Sequence, residues 1–328
     1  MSRNMVLRLG LVLAICALSV PLAARAQRAG HIPRVGVLVF PKMTDEFRQA
    51  LGQGLRDQGY VDGQNIDVHW GSANGRADRA HALAAEYLRM KVDVIVASLT
   101  GAVQAAQNAT RTIPIVMAPA GDPVALGFAA SLARPGGNIT GVTGIELSEK
   151  RLELLKEINP GLTRATLLLN RADPAFAKVL VDGTEPAAER VGVRLQIEMV
   201  QGPEEFARAF AAMRNERSGA VIVQPSLIGP TAHATQVANL AVQYRLPSIT
   251  HSGTFADAGG FMSYGPNFKH MYRQSAVYVA RILKGEKPAT MPIERSTTFE
   301  MAINLKTARQ IGVSIPQSIL LRADRVIE

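Results

Sequence analysis

A small set of polar and aromatic side chains, each placed where a strand pattern gives way to a loop or helix, carries most of the chemistry this sequence offers. Ser98 and Thr100 stand where a third strand meets a helix. A helix start offers free backbone N–H groups and a positive dipole end, which suit a carboxylate; Thr100 is equally suited to cap that helix. Asp122, in Gly121-Asp122-Pro123 after the fourth strand, suits a ligand ammonium group, although Asp before Pro is also common turn chemistry that serves only its own backbone. Asn170, Gln224 and Ser226 close two later strands and offer neutral amide and hydroxyl hydrogen bonds. Phe40 and Tyr264 lie near strand ends and are suited to sandwich an aromatic or apolar ligand body. Aromatic residues make up only 5% of the chain, which gives that placement weight. Phe128 reads as core, and Arg171 as a solvated rim charge.

These residues form no catalytic signature. Asp122, His251 and a serine can be written as a triad, but the G-x-S-x-G elbow is absent. No two histidines have the i, i+4 spacing of a helical metal site, and no carboxylate cluster accompanies His69 or His81. Neither a G-x-x-x-x-G-K-S/T loop nor a G-x-G-x-x-G loop follows a strand. The expectation is binding without chemistry: no enzyme, no cofactor, no metal, and a ligand site built from Phe40, Ser98, Thr100, Asp122, Asn170, Gln224, Ser226 and Tyr264.

The elements that must position these residues follow a βα rhythm. Near-continuous apolar runs such as Arg34 to Phe40, Val92 to Ala97 and Ile113 to Ala118 suit parallel strands covered on both faces. Between them, helical spacing recurs from Thr44 to Gly59 and from Ala80 to Leu88, and a helix is expected from Thr100 to Ala109. Short connections between such units predict a doubly wound parallel sheet. The rhythm breaks at Ala133 to Gly144, rich in Gly, Pro and Asn, which is the expected crossing between domains. A helix from Glu146 to Ile158 leads into a second βα series, and a long helix is expected from Asn267 to Leu283. Two α/β lobes would leave a cleft, and ligands of open parallel sheets sit beyond the carboxyl ends of the strands.

The first residues carry a different message. Arg3 and Arg8 precede an apolar run from Leu9 to Leu22, and Ala24-Arg25-Ala26 is a small-x-small cleavage site before Gln27. The run is shorter than the roughly 20 residues a spanning helix needs. Ile15 before Cys16 argues against lipid attachment. Cleavage after Ala26 removes the single cysteine, and with it any disulfide, thiol nucleophile or cysteine metal site. The chain holds 36 Lys and Arg against 27 Asp and Glu. The excess is spread along the chain without a basic block, so it reads as a solvated surface and not a nucleic-acid site.

Several strings extend this reading. The segment from Arg111 to Gly144 resembles the substrate-binding component of ABC-type uptake transporters, in the family related to tryptophan- and phenylalanine-binding proteins. Gly54 to Trp70, Lys150 to Leu162, Gly259 to Phe268 and Phe299 to Gly312 resemble further family blocks, in family order, so the resemblance covers essentially the whole mature chain. It implies a periplasmic-binding-protein type I fold: two Rossmann-like doubly wound lobes with hinge crossovers, one over residues 32–141 and 266–296, the other over 142–265 and 297–328. It also implies a periplasmic monomer that captures a small-molecule ligand, an amino acid or a small aromatic or aliphatic carboxylate, and delivers it to an ABC permease and its ATPase. The alternative is a sensor presenting its ligand to a receptor. One departure stands out: the family often has a Gly-Thr-Pro-like turn after the third strand, where this chain has Ser98-Leu99-Thr100-Gly101.

Overall fold

The computed structural model describes residues 31–40, 42–144 and 147–328. The expected signal segment, Met1 to Gln27, and Glu146, the expected start of a helix, lie outside the described residues. The chain runs β1 (Arg34–Val39), α1 (Asp45–Asp57), β2 (Asp67–Ser72), α2 (Ala77–Arg89), β3 (Val94–Ser98), α3 (Thr100–Ala109), β4 (Ile115–Ala120) and β5 (Ile139–Thr143). It continues with α4 (Ser148–Ile158), β6 (Arg164–Asn170), α5 (Pro174–Val191), β7 (Arg194–Val200), α6 (Phe206–Asn215), β8 (Val221–Val223), α7 (Thr231–Gln243), β9 (Ser248–Thr250), α8 (Gly253–Asp257) and β10 (Met262–Pro266). It ends with α9 (Phe268–Leu283), β11 (Glu294–Arg295), β12 (Phe299–Asn304), α10 (Leu305–Ile311), α11 (Gln317–Leu320) and β13 (Arg325–Ile327).

Two sheets result. The first has the order β11-β5-β4-β3-β1-β2, all parallel. The second has the order β13-β12-β10-β9-β8-β6-β7, parallel except where β12 runs against β10. We call each sheet with its helices a lobe. The apolar runs are strands because both faces are covered. In β1, Val35, Val37 and Val39 enter one core and Leu38 the other; in β3, Val94 and Val96 oppose Ile95 and Ala97 in the same way. Each fully buried aliphatic side chain of this kind contributes about 1.5–3 kcal/mol.

Local signals start and stop the helices. The Thr44 hydroxyl accepts from the Phe47 N–H at the head of α1, Asp173 caps α5 ahead of Pro174, and Asn267 caps α9. Gly192 ends α5 and Gly312 ends α10, both in the left-handed conformation.

The segment expected as the crossing, Ala133 to Gly144, instead contains β5, fully buried in the first sheet. Gly141 explains the strand: its φ is 127°, and a Cβ there would lie 2.5 Å from the Met117 carbonyl oxygen. The chain therefore leaves the first sheet only after Thr143. It returns between β10 and α9, which packs on α1, β3, β4 and β5, and leaves again between β11 and β12. These crossing segments lie side by side. The Ser296 N–H donates to the Thr143 carbonyl (2.9 Å) and the Asn267 N–H to the Thr298 carbonyl (3.0 Å).

Candidate functional site between the lobes

All the crossings depart from the carboxyl ends of parallel strands: β5 and β11 in the first lobe and β10 in the second. Those two edges are therefore held beside each other at the crossings, and the loops that follow the strands are the walls of the candidate site.

The first-lobe wall is built around the junction of β3 and α3. Ser98 is fully buried and its Oγ makes no hydrogen bond among the described residues. Leu99 follows with φ 69° and ψ 159°, backbone that is essentially glycine territory. α3 then starts at Thr100 without a side-chain cap. The Thr100 hydroxyl instead accepts from the Gly121 N–H (3.2 Å), tying this turn to the loop after β4. The first turn leaves the Thr100 and Gly101 N–H groups outside the helical ladder. Phe40 packs its ring on Gly101. Asp122 is exposed; its Oδ1 accepts from the N–H groups of Val124 (2.9 Å) and Ala125 (3.1 Å), so one carboxylate oxygen holds its own turn. Phe128 is core.

The second-lobe wall joins three nominated residues in one network. Gln224 is fully buried, and both ends of its amide are used. Oε1 accepts from the Asn170 N–H (2.8 Å), while Nε2 donates to Ser226 Oγ (3.1 Å) and Asp173 Oδ2 (3.2 Å). Asn170 Nδ2 also donates to Ser226 Oγ (3.2 Å). Gln224 thus fixes the more open Asn170 and Ser226. Arg171 is held at the rim by Glu205 and the Met199 carbonyl. Tyr264 stacks at a tilt on Phe299, 6.1 Å between centroids, and its carbonyl accepts from Arg151 Nη1 (3.1 Å). Phe40 and Tyr264 pack within their own lobes.

The crossing helix α9 adds aromatic groups that lie away from the strand ends. Phe268, its first residue, lies 5.3 Å from the His251 ring at the end of β9 and 6.3 Å from the Tyr272 ring. Tyr272 meets Phe47 edge-on at 4.3 Å, and Phe47 in turn meets Trp70 at 6.1 Å. One aromatic row therefore runs from the second lobe into the first. In the sequence Phe268 and Tyr272 stand at i, i+4 after the capping Asn267, a spacing that any packed helix shows and that does not by itself mark a site. Burial, and more weakly the Arg151 guanidinium, push His251 down to about 3, so its imidazole is neutral. Burial pushes the Tyr272 hydroxyl up to about 12; the nearby Ser98 hydroxyl opposes this, without the geometry of a full hydrogen bond.

These groups can hold a small molecule with a carboxylate or other polar head and an apolar body. A hollow of about 220 Å³ between α1 and β2, lined by Arg48, Leu55, Tyr60 and Trp70, lies on the flank of the first lobe and faces no second-lobe residue. Among the described residues no cluster of His, Cys, Asp or Glu could hold a metal, and no helix is long and apolar enough to cross a membrane.

Two doubly wound lobes, joined by adjacent crossings at their strand ends, have the periplasmic-binding type I fold. Residues 34–327 match the ABC transporter substrate binding protein family, and the chain belongs to it. A curated relative, the tyrosine-binding protein of Clostridioides difficile strain R20291, is 24% identical over 279 residues, covering 85% of this chain and 80% of that protein. The structure of an ABC domain from Streptococcus pneumonia in complex with L-Trp superposes with a TM-score of 0.82 at 24% identity, covering 90% of this chain and 100% of that one. The ligand-free, open structure of a substrate binding protein with adhesive properties from Clostridium difficile gives 0.74 at 23% identity, covering 90% and 99%.

Proposed function

We propose that this protein is the exported solute-binding component of an ABC importer and captures an amino acid, or a small aromatic or aliphatic carboxylate, between its lobes. The observation that carries this reading is the buried, unpartnered Ser98 hydroxyl beside the open first turn of α3. A buried donor without a partner costs about 1–3 kcal/mol, and a ligand oxygen would satisfy it. Ser98 and Thr100 receive a carboxylate, with Asp122 placed for an ammonium group through its second oxygen. Asn170 and Ser226 bind from the other lobe, positioned by Gln224. Phe40 and Tyr264 wall the apolar body. The tyrosine and tryptophan in the names of the relatives support an aromatic amino acid as the first candidate.

Export to the periplasm with cleavage after Ala26, a monomeric state, and delivery to a membrane permease and its ATPase complete the reading. The mechanism is capture: contacts to both lobes favour a closed form that swings about the crossings. The test is a thermal-shift screen of the mature chain against amino acids and aromatic acids, with mass analysis of the recovered ligand. A carrier is stabilised, by about 2.7 kcal/mol at a ligand concentration 100 times Kd, and returns its ligand unaltered. A converted product, or no stabilisation by any member of the screen, would overturn the reading.

A further inference from the structure

We propose that Tyr272 is a ligand-contacting residue, its hydroxyl forming with Ser98 Oγ a two-hydroxyl station that takes one carboxylate oxygen of the ligand; this rests on the binding reading above and makes the crossing helix α9, as well as the strand-end loops, part of the site. Ser98 is fully buried at the carboxyl end of β3, and its hydroxyl has no partner among the described residues. α9 packs against β3 and brings in Tyr272, whose ring is fixed edge-on by Phe47 at 4.3 Å and flanked by Phe268 at 6.3 Å. The Tyr272 side chain is half-buried, and its hydroxyl lies close enough to Ser98 for the two to influence each other.

Two neighbouring hydroxyls, one of them buried without a partner among the described residues, form an incomplete site for one acceptor. The adjacent Thr100 and Gly101 N–H groups give that acceptor negative charge by preference. The phenol remains protonated at every working pH, so it is a permanent donor. Because Tyr272 rides on the helix that returns from the second lobe, a ligand held there engages a crossing as well as the first-lobe wall.

The test is titration calorimetry of the mature chain with L-tyrosine and L-tryptophan, each beside its carboxamide, for wild type, Tyr272→Phe and Ser98→Ala. Hydrogen bonds to a charged group predict that each substitution weakens the free amino acid about tenfold or more, and any carboxamide binding, whose neutral oxygen accepts a weaker bond, by only about threefold. Ser98→Ala should also raise the thermal midpoint of the ligand-free protein, because it removes an orphaned buried hydroxyl; a merely structural serine would lower it. Wild-type affinity for the amino acid with no loss in either variant overturns the station alone. Equal losses for acid and amide overturn the carboxylate assignment. Failure of the wild type to bind either amino acid overturns the aromatic amino-acid reading and the station with it.

Discussion

Phe40 and Gly101 are in direct contact: a Cβ built at residue 101 would come within 2.5 Å of the Phe40 ring. Gly101 is the second residue of α3, where helix propensity alone would favour alanine by about 1 kcal/mol. Gly101→Ala should nevertheless destabilise the protein, because overpacking costs about 1–3 kcal/mol, and should weaken ligand binding by displacing the ring from the wall. In a Phe40→Ala background the same change should become neutral or stabilising. A double-mutant cycle in urea measures this coupling. Additive effects would mean that the ring is not held by the missing side chain.

Leu99 makes a second prediction about the same turn. Its positive φ with extended ψ is a conformation that costs a non-glycine residue about 1–3 kcal/mol. Comparing Leu99→Ala with Leu99→Gly removes the leucine side chain in both and isolates the backbone. Glycine should be the more stable of the two by about 1–2 kcal/mol, opposite to the ordinary ranking. Denaturant midpoints decide it, and an alanine variant at least as stable as the glycine variant would show that the turn relaxes at no cost.

The parallel strands and most helices were legible because they follow simple rules. Apolar runs such as Val35 to Val39 are buried on both faces, and Thr44, Asp173 and Asn267 cap helices where they stand in the chain. β5 was hidden because the glycine that permits its close approach to Met117, Gly141, belongs to the residue types that also signal a turn. β11 and β13 are too short to carry a period. At the site, the residues following strands were legible from topology. Tyr272 and Phe268 were not, since they lie inside the pattern of a helix, and only the packing of α9 on β3 and Phe47 carries them to the wall. The strained backbone of Leu99 leaves no mark in residue type.

Gln224 should matter more to stability than its neighbours on the wall. Replacing it by leucine keeps the volume approximately but leaves the Asn170 N–H and one oxygen of Asp173 without their partner. Both groups are half-buried, so each costs toward the lower end of the about 1–3 kcal/mol of a buried unsatisfied group, and Gln224→Leu should lose about 2 kcal/mol. The more exposed Ser226→Ala should lose less than about 1 kcal/mol, since solvent can replace its contacts. Ligand affinity should fall in both. Urea denaturation beside calorimetric titration separates the two roles, and a leucine variant as stable as wild type would mean that the network does not hold the loops.

His251 sets the acid sensitivity of the fold. Its folded value lies at about 3 against an ordinary value of 6.5, with burial the larger cause and Arg151 the smaller. Between those values the unfolded chain takes up a proton that the folded protein refuses. Stability is therefore complete above about 6.5 and declines as pH falls, by up to about 1.4 kcal/mol per pH unit for one such proton, until the pH approaches 3. Most carboxylates remain ionised at pH 5, so the interval from pH 7 to pH 5 reports on histidine protonation, and the variant separates His251 from the other five histidines. Over it, wild type should lose up to about 2 kcal/mol, and His251→Gln, which keeps a neutral polar side chain but cannot take up the proton, should lose clearly less. Urea midpoints at pH 7, 6 and 5 give both slopes. Parallel slopes for the two proteins would mean that the folded state accommodates a charged imidazole beside Phe268, and that the second-lobe wall is wetter than its packing implies.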